Sequence, residues 1–277
     1  MKMVILTALW KRPALTEIFL SYYSNMKERL EGQIDLVLVA VGSEGLATER
    51  ISKNNGWKYI EAPNNPVSQK WNAGIKSLKD INADAVIILG SDDFISDNLL
   101  LEYKKRLNEN YVLIGVKDMY VFDVATKRFG RWRGYRPNIY EDRTGETIGM
   151  ARCISRKVME MVNYDIWLNI GADSGLDGIM SSRFKSLGLE YCSESNTPLC
   201  EIEGDSKKYK WGHVGHYLSD LESVGVDVKT NTNITSLNRC LGSDPLCMEW
   251  IEDTEGFFAN TLPFLNFKQV LDSNEET

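Results

Sequence analysis

The residues best equipped for chemistry stand in Leu89-Gly90-Ser91-Asp92-Asp93, where two adjacent carboxylates end an apolar run. Like charges taken out of water are costly without a partner. A divalent cation carrying a diphosphate is one such partner, because hard cations take oxygen ligands. The competing reading is a solvated loop whose aspartates cap the next turn. A second group lies in Lys127-Arg128-Phe129-Gly130-Arg131-Trp132-Arg133-Gly134-Tyr135-Arg136, ten residues with five cations, three aromatics and no anion. Aromatic faces stack on sugars or bases and arginines bind phosphates. Arg131, Trp132, Arg133 and Tyr135 are therefore candidate acceptor contacts, and a phosphorylated acceptor or DNA with a hydroxylated base would suit them. The bland alternative is a solvated hairpin with alternating faces.

The elements that must position these groups alternate along the first hundred residues. Val4–Leu9 is a short apolar run, and Pro13 can sit in the first turn of a helix carrying Leu15, Ile18, Phe19, Tyr22, Tyr23, Met26 and Leu30 at helical spacing. Ile34–Val41 is a near-continuous apolar run, as in a strand covered on both faces. Trp57–Ile60 predicts a third strand. Asn65-Pro66 opens a helix with Asn65 as its cap. Ala85–Leu89 predicts a fourth strand, and Asp97 caps a helix over Asn98–Leu107. This βαβαβ order predicts an α/β fold, a Rossmann-like, mostly parallel sheet with its ligand beyond the carboxyl ends of the strands. Thr7–Arg12, Ala40–Ser43 and Ser91–Asp93 then surround one crevice.

Beyond residue 110 the pattern changes. Tyr111–Val116, Met119–Val124 and Gly145–Ile154 read as strands, Ser155–Val162 and Leu176–Leu187 as helices, with Gly188 as the stop of the last. From about residue 200 the chain reads as polar and irregular. The expected organisation is one domain over 1–277: a nucleotide-binding half (1–95), an acceptor-side lobe (96–200) and a C-terminal extension or lid (201–277), to which Lys229 and Asn233 would belong.

Composition bounds the function. The 277 residues carry a net charge of −7, with 43% hydrophobic and 26% charged residues, which excludes a disordered or fibrous chain. The acidic balance argues against a dedicated nucleic-acid binder while allowing a local basic patch. No run reaches the roughly 18 apolar residues of a membrane span. Trp10-Lys11-Arg12-Pro13 interrupts the apolar start before a signal peptide is complete. Five cysteines without a Cys-x-x-Cys pair suggest neither a disulfide framework nor a zinc site, and a cytoplasmic location is expected.

Three segments together, Thr7–Pro13, Asn65-Pro66-Val67-Ser68-Gln69-Lys70-Trp71-Asn72-Ala73-Gly74 and Gly90-Ser91-Asp92-Asp93, resemble a GT-A-fold glycosyltransferase of the family 2 type over roughly the first hundred residues. More loosely, Gly149–Arg156 resembles the strand and helix near that family's acceptor cleft, which makes Arg152 an acceptor-side candidate. The resemblance implies a GT-A sheet, a nucleotide-sugar donor, UDP-linked by analogy, and a divalent metal, Mn²⁺ or Mg²⁺. It implies that Ala8, Trp10 and Arg12 hold the nucleobase and ribose, with Lys70 and Asn72 close to the nucleotide. Ser91 stands where the family's Asp-x-Asp motif has its first carboxylate. Asp92 would contact ribose or a metal-bound water, and Asp93 would bind the metal. His213 or His216, three apart and flanked by glycines, would complete the metal sphere, since a neutral imidazole can serve as a ligand near pH 7. In Gly171-Ala172-Asp173-Ser174-Gly175-Leu176-Asp177-Gly178, Asp177 or Asp173 would be the base of an inverting reaction. The alternative for either is a helix N-cap.

Two other classes compete. A sugar nucleotidyltransferase should show a glycine-rich phosphate loop after the first strand, and Ala8–Pro13 contains no glycine. A nicotinamide dehydrogenase fails the same test. A catalytically inactive glycan- or nucleic-acid-binding module would use the basic aromatic stretch as its working surface.

Overall fold

The computed structural model describes residues 1–135, 143–168, 171–190, 200–203, 208–231, 233, 237–241 and 247–273. The α/β alternation of the first hundred residues is present. β1 (Lys2–Ala8), α1 (Pro13–Arg29), β2 (Asp35–Gly42), α2 (Leu46–Asn54), β3 (Lys58–Glu61), α3 (Val67–Ile81) and β4 (Ala85–Gly90) follow in order. The pairings β4–β1, β1–β2 and β2–β3 are all parallel. β5 (Asp93–Ile95), α4 (Asp97–Asn108), β6 (Tyr111–Val116), β7 (Met119–Asp123), β8 (Arg128–Trp132), β9 (Arg152–Ser155), α5 (Arg156–Met161) and α6 (Leu176–Lys185) come next. The chain then forms β10 (Cys200–Glu203), β11 (Lys208–His216), β12 (Gly225–Lys229), α7 (Leu237–Leu241), β13 (Met248–Trp250), α8 (Thr254–Thr261) and α9 (Phe267–Asp272).

The strands make two mixed sheets, ordered β10-β11-β6-β9-β4-β1-β2-β3 and β13-β8-β7-β12-β5. α1 covers one face of the larger sheet through Phe19, Tyr23 and Met26, in a core shared with the smaller sheet. α3, α5 and α6 cover the other face through Ile75, Leu78, Val158, Met180 and Phe184. α3 lies so close that a side chain at Gly74 would meet Leu6 and Val41 at 2.6 and 2.7 Å. No described helix is long and apolar enough to cross a membrane.

Several expectations need correction. Beyond residue 200 the chain is not irregular: β11 pairs parallel with β6, and β12 lies between β7 and β5. Its β11 segment, Lys-Tyr-Lys-Trp-Gly-His-Val-Gly-His, lacks the aliphatic run that marks a buried strand. The expected strand over 145–154 is confined to Arg152–Ser155, because Gly145 (φ 76°) and Ala151 (φ 54°) take left-handed conformations. Neither expected side-chain cap forms. Pro66 is the N-cap of α3 and Ser96 that of α4. Asp97 instead receives both Arg29 Nε and Nη2, at 2.7 and 2.8 Å.

β5, only three residues long, holds Asp93 and is fixed by α1. The Tyr23 hydroxyl donates to Asp93 O (2.7 Å) and accepts from Ile95 N (3.1 Å), and the Tyr22 hydroxyl donates to Ile95 O (2.7 Å). Burial pushes both phenols upward, so they stay neutral donors. Tyr23→Phe would strand a buried carbonyl and a buried amide. It should lower stability by about 1–3 kcal/mol in urea unfolding. An unchanged midpoint would show that β5 is held by its sheet partners alone.

Candidate active site

A cleft of about 700 Å³ opens at the carboxyl ends of β1 and β4. One wall comes from the turn after β4. Gly90 has no room for a side chain, since a Cβ there would sit 2.6 Å from Asp92 Oδ1 and 3.0 Å from Asp93 Oδ2. Gly90 N instead donates to Asp93 Oδ2 (2.7 Å). Asp92, Asp93 and Asp227 of β12 bring one carboxylate oxygen each within 4.8 Å of one another. Asp93 is 7% and Asp227 8% exposed. Burial, then Asp227 and Asp92, push the Asp93 carboxyl well above the usual range. Burial also lifts Asp227, to about 6, against the pull of Lys229. For Asp92, burial is outweighed by Arg12 and Lys229, which hold its carboxyl low. Three carboxylates, two of them buried and one half-buried, offer hard oxygen donors that fit a divalent cation. The fit is supported by Asp227 Oδ1, a buried oxygen without a hydrogen-bond partner among the described residues.

Arg12 reaches this cluster from the β1–α1 loop, where Lys11 and Arg12 both adopt left-handed backbone (φ 55° and 53°). Its Nη1 donates to Asp92 Oδ2 (2.9 Å) and its Nη2 to Ser91 Oγ (2.8 Å). Ala8, Trp10, Lys70 and Ser91 line the same cleft. The buried Lys70 ammonium ties three loops together, donating to Leu9 O, to Ser43 Oγ (2.9 Å) and to Asn64 Oδ1 (2.9 Å). Burial lowers its pKa to about 8, opposed by Glu44 and Glu61.

Asp173 and Asp177 stand on the other wall. Neither is an N-cap of α6, which begins after Gly175. Asp173 Oδ1 accepts from Val67 N (3.0 Å). Asp177 is held from behind by Arg152 Nη2 on Oδ1 (2.6 Å) and Arg143 Nη2 on Oδ2 (2.7 Å), and the Tyr135 hydroxyl donates to Oδ2 at 3.3 Å. Burial raises the Asp177 carboxyl, but the two guanidiniums outweigh it and keep it below the ordinary range. Around it the wall is apolar and aromatic, with Met119, Trp132, Tyr135, Ile148 and Met150. The Trp132 and Tyr135 rings meet edge to face at 5.3 Å.

The remaining candidates lie outside the cleft lining. Asn72 brackets the segment after α5: it donates to Asp165 Oδ1 and Leu168 O and accepts from Ile166 N and Trp167 N. The basic stretch is largely the hairpin strand β8. Arg131 pairs with buried Asp118 (2.6 Å), Arg133 with Glu249 (3.2 Å), and Arg128 stacks on Trp250 (3.8 Å). Arg136 lies outside the described residues. Arg152 is wholly buried and faces Asp177. His213 and His216 are not on a loop over a diphosphate. They point into the core from β11, and neither belongs to the acidic triad. His213 Nε2 contacts Thr147 Oγ1 at 2.8 Å.

Asp227 escaped the sequence reading. In Val226-Asp227-Val228-Lys229 the alternation puts both charges on one face of a strand, and that was the available signal. Lys229, Asp227 and Asn233 line the cleft, and Asn233 Nδ2 donates to Asp92 Oδ2. Arg143 and Glu146 (2.8 Å apart) also went unforeseen.

No protein-family profile matches the sequence, and no curated protein does. Solved structures do match. Glucosyl-3-phosphoglycerate synthase from M. tuberculosis, solved with Mn²⁺, UDP-glucose and phosphoglyceric acid, is 15% identical with a TM-score of 0.43, over 68% of this chain and 66% of that one. S. aureus TarS 1–349 is 13% identical with a TM-score of 0.42, over 66% of this chain and 55% of that one. A cytidylyltransferase from Leptospira borgpetersenii is 13% identical with a TM-score of 0.41, over 66% of this chain and 72% of that one. At these identities the likeness concerns the fold alone.

The histidines give a test by acid. Burial, then Arg106 and Lys117, lower His216 from 6.5 to about 4. Its ring nitrogens have no hydrogen-bond partner among the described residues. Between pH 6.5 and 4 the unfolded chain therefore binds a proton that the folded chain refuses, and stability falls as the pH is lowered. His216→Leu removes this contribution. Between pH 7.5 and 5 the variant should lose less stability than the wild type, by up to about 2 kcal/mol in urea unfolding. Equal losses would show that His216 titrates normally in the folded protein.

Proposed function

We propose that this protein is a metal-dependent, inverting glycosyltransferase that moves a sugar from a UDP-linked donor to a hydroxyl acceptor. The observation that carries the reading is one cleft with two unlike carboxylate groups: the crowded triad of Asp92, Asp93 and Asp227, and the guanidinium-held Asp177 on the opposite wall. Ala8 and Trp10 would receive the nucleobase and ribose, the Trp10 ring being 37% exposed with the Lys11 ammonium 4.4 Å from its centroid. Lys70 and Ser91 shape the floor beneath them. Asp92, Asp93 and Asp227 would hold Mn²⁺ or Mg²⁺, which when bound supplies Lewis-acid compensation for charge on the leaving diphosphate.

Asp177 takes the proton of the attacking hydroxyl. Its two arginines keep it ionised throughout the neutral range, so the acceptor is always met by a carboxylate and not by an acid. Asp173 on the same wall would orient further hydroxyls. Attack from the Asp177 side, opposite the leaving diphosphate, inverts the anomeric centre.

The acceptor that suits this wall is an uncharged glycan. Trp132, 6% exposed, and Tyr135, whose ring carries the Arg143 guanidinium at 3.9 Å, line this wall with limited apolar surface, and Asp173 and Asp177 offer acceptors for sugar hydroxyls. DNA bearing a hydroxylated base is the weaker acceptor, because Arg131 and Arg133 are already committed to Asp118 and Glu249. Nucleotidyl transfer could use the same triad, but the glycine-free loop Ala8–Pro13 offers a poor phosphate cradle. A purely binding role leaves the buried triad without a purpose.

Thermal unfolding with nucleotide sugars and Mn²⁺, Mg²⁺ or EDTA tests the donor assignment. A UDP-sugar at 100 times its dissociation constant should add about 2.7 kcal/mol, only with metal. Asp93→Asn and Asp227→Asn should abolish that shift; Asp93→Asn should keep or raise the unliganded midpoint because it removes repulsion within the triad, whereas Asp227→Asn also takes the partner of buried Lys229 and should lower it. A full shift in both variants would end the metal assignment. For the acceptor, neutral oligosaccharides should stimulate consumption of UDP-sugar, and Arg133→Gln should leave this unchanged. Stimulation by DNA with a steep salt dependence would reverse the choice.

A further inference from the structure

The donor half of the cleft contains two cations that the proposed reaction has not yet used. Arg12 sits on Asp92 (2.9 Å). On β12, Lys229 Nζ donates to Asp227 Oδ2. Lys229 lines the cleft and is only 5% exposed. Both cations therefore rest on carboxylates that a divalent ion would need, and Asp227 Oδ1 is a buried oxygen without a hydrogen-bond partner among the described residues.

A cation coordinated by Asp227 and Asp92 would repel the ammonium and the guanidinium now resting there. Once displaced, Lys229 has little solvent to turn to, and a buried ammonium requires an anion. A diphosphate supplies negative oxygens at the same place. The charges also close: two cations displaced by one divalent ion are matched by the two negative charges of a diphosphate diester.

We propose that Lys229 and Arg12 are diphosphate-binding residues that exchange partners, resting on Asp227 and Asp92 in the free protein and turning to the anion when a divalent cation occupies those carboxylates. The proposal rests on the transferase reading for the position of the diphosphate. It goes further by assigning Lys229 and by making metal and diphosphate binding mutually dependent. Coupling of this kind is reciprocal: whatever factor Mn²⁺ adds to diphosphate affinity, diphosphate adds to Mn²⁺ affinity.

The test needs no turnover. Free Mn²⁺ is measured by electron paramagnetic resonance, and inorganic pyrophosphate binding by calorimetry at saturating Mn²⁺, in the wild type, Lys229→Met and Lys229→Arg. Lys229→Met should bind Mn²⁺ alone severalfold more tightly, because the competing cation is gone. It should bind pyrophosphate about tenfold or more weakly, as expected for loss of one charged hydrogen bond. Lys229→Arg, which keeps the charge, should recover much of the pyrophosphate affinity and also serves if the methionine variant fails to fold. Weaker Mn²⁺ binding with unchanged pyrophosphate binding would mean that Lys229 only positions Asp227, and would overturn the proposal while leaving the transferase reading intact. A wild type that binds neither probe would remove both. The expected variant pattern without sugar transfer from any donor would remove the transferase reading alone.

Discussion

Three carboxylates share one buried corner of this protein, and much of the surrounding structure answers their mutual repulsion. Asp92 and Asp93 are adjacent in the chain, and Asp227 arrives from another strand, so no local rearrangement can separate them. The chain surrounds them with donors: Gly90 N for Asp93, Arg12 and Asn233 for Asp92, Lys229 for Asp227. The register between β12 and β5 sets Asp227 directly beside Asp93. The tyrosines of α1 hold β5 in that register from behind. A helix face, two strands and a tight glycine turn thus serve one electrostatic arrangement.

Across the cleft the same chemical group is given the opposite environment. Asp177 has a guanidinium on each oxygen, and its proton affinity is low where that of Asp93 is high. Separating carboxylates in this way is how a single cleft can carry out two tasks at one pH. Completely buried Arg152 pairs with Asp177 and bonds the carbonyls of Thr147 and Ile148 through the same Nη2. Ile148 lines the cleft beside Asp177, so Arg152, read from the sequence as an acceptor contact, reaches the cleft through Asp177 and does not itself line it.

The parts legible in the sequence were those with strong local signals. The aliphatic runs of β1, β2 and β4, the helical spacing of α1 and the Asp92–Asp93 turn are each written within a few residues. What escaped depends on pairing at a distance. β11 is buried between β10 and β6, yet its sequence is basic, glycine-containing and histidine-bearing, so its hydropathy looks like a loop. His213 and His216 then read as ligands when they are sheet interior. Arg131 of β8 and Arg133 just after it read as a free basic patch because their partners, Asp118 and Glu249, lie 13 and 116 residues away. Charge counted along the chain cannot reveal neutralisation across it.

Ser91 shows the same principle from the other side. Against an Asp-x-Asp motif the chain lacks one carboxylate, which read alone predicts weaker metal binding. In the folded protein the Ser91 hydroxyl accepts a hydrogen bond from Arg12, which also carries Asp92. The third carboxylate comes from Asp227, 134 residues after Asp93 in the chain and paired with it across β5 and β12. A carboxylate at position 91 would add a fourth negative charge to a corner already short of cations. A serine there keeps a hydrogen-bonding group for Arg12 without that charge, so the departure from the motif and the unforeseen Asp227 are two halves of one arrangement.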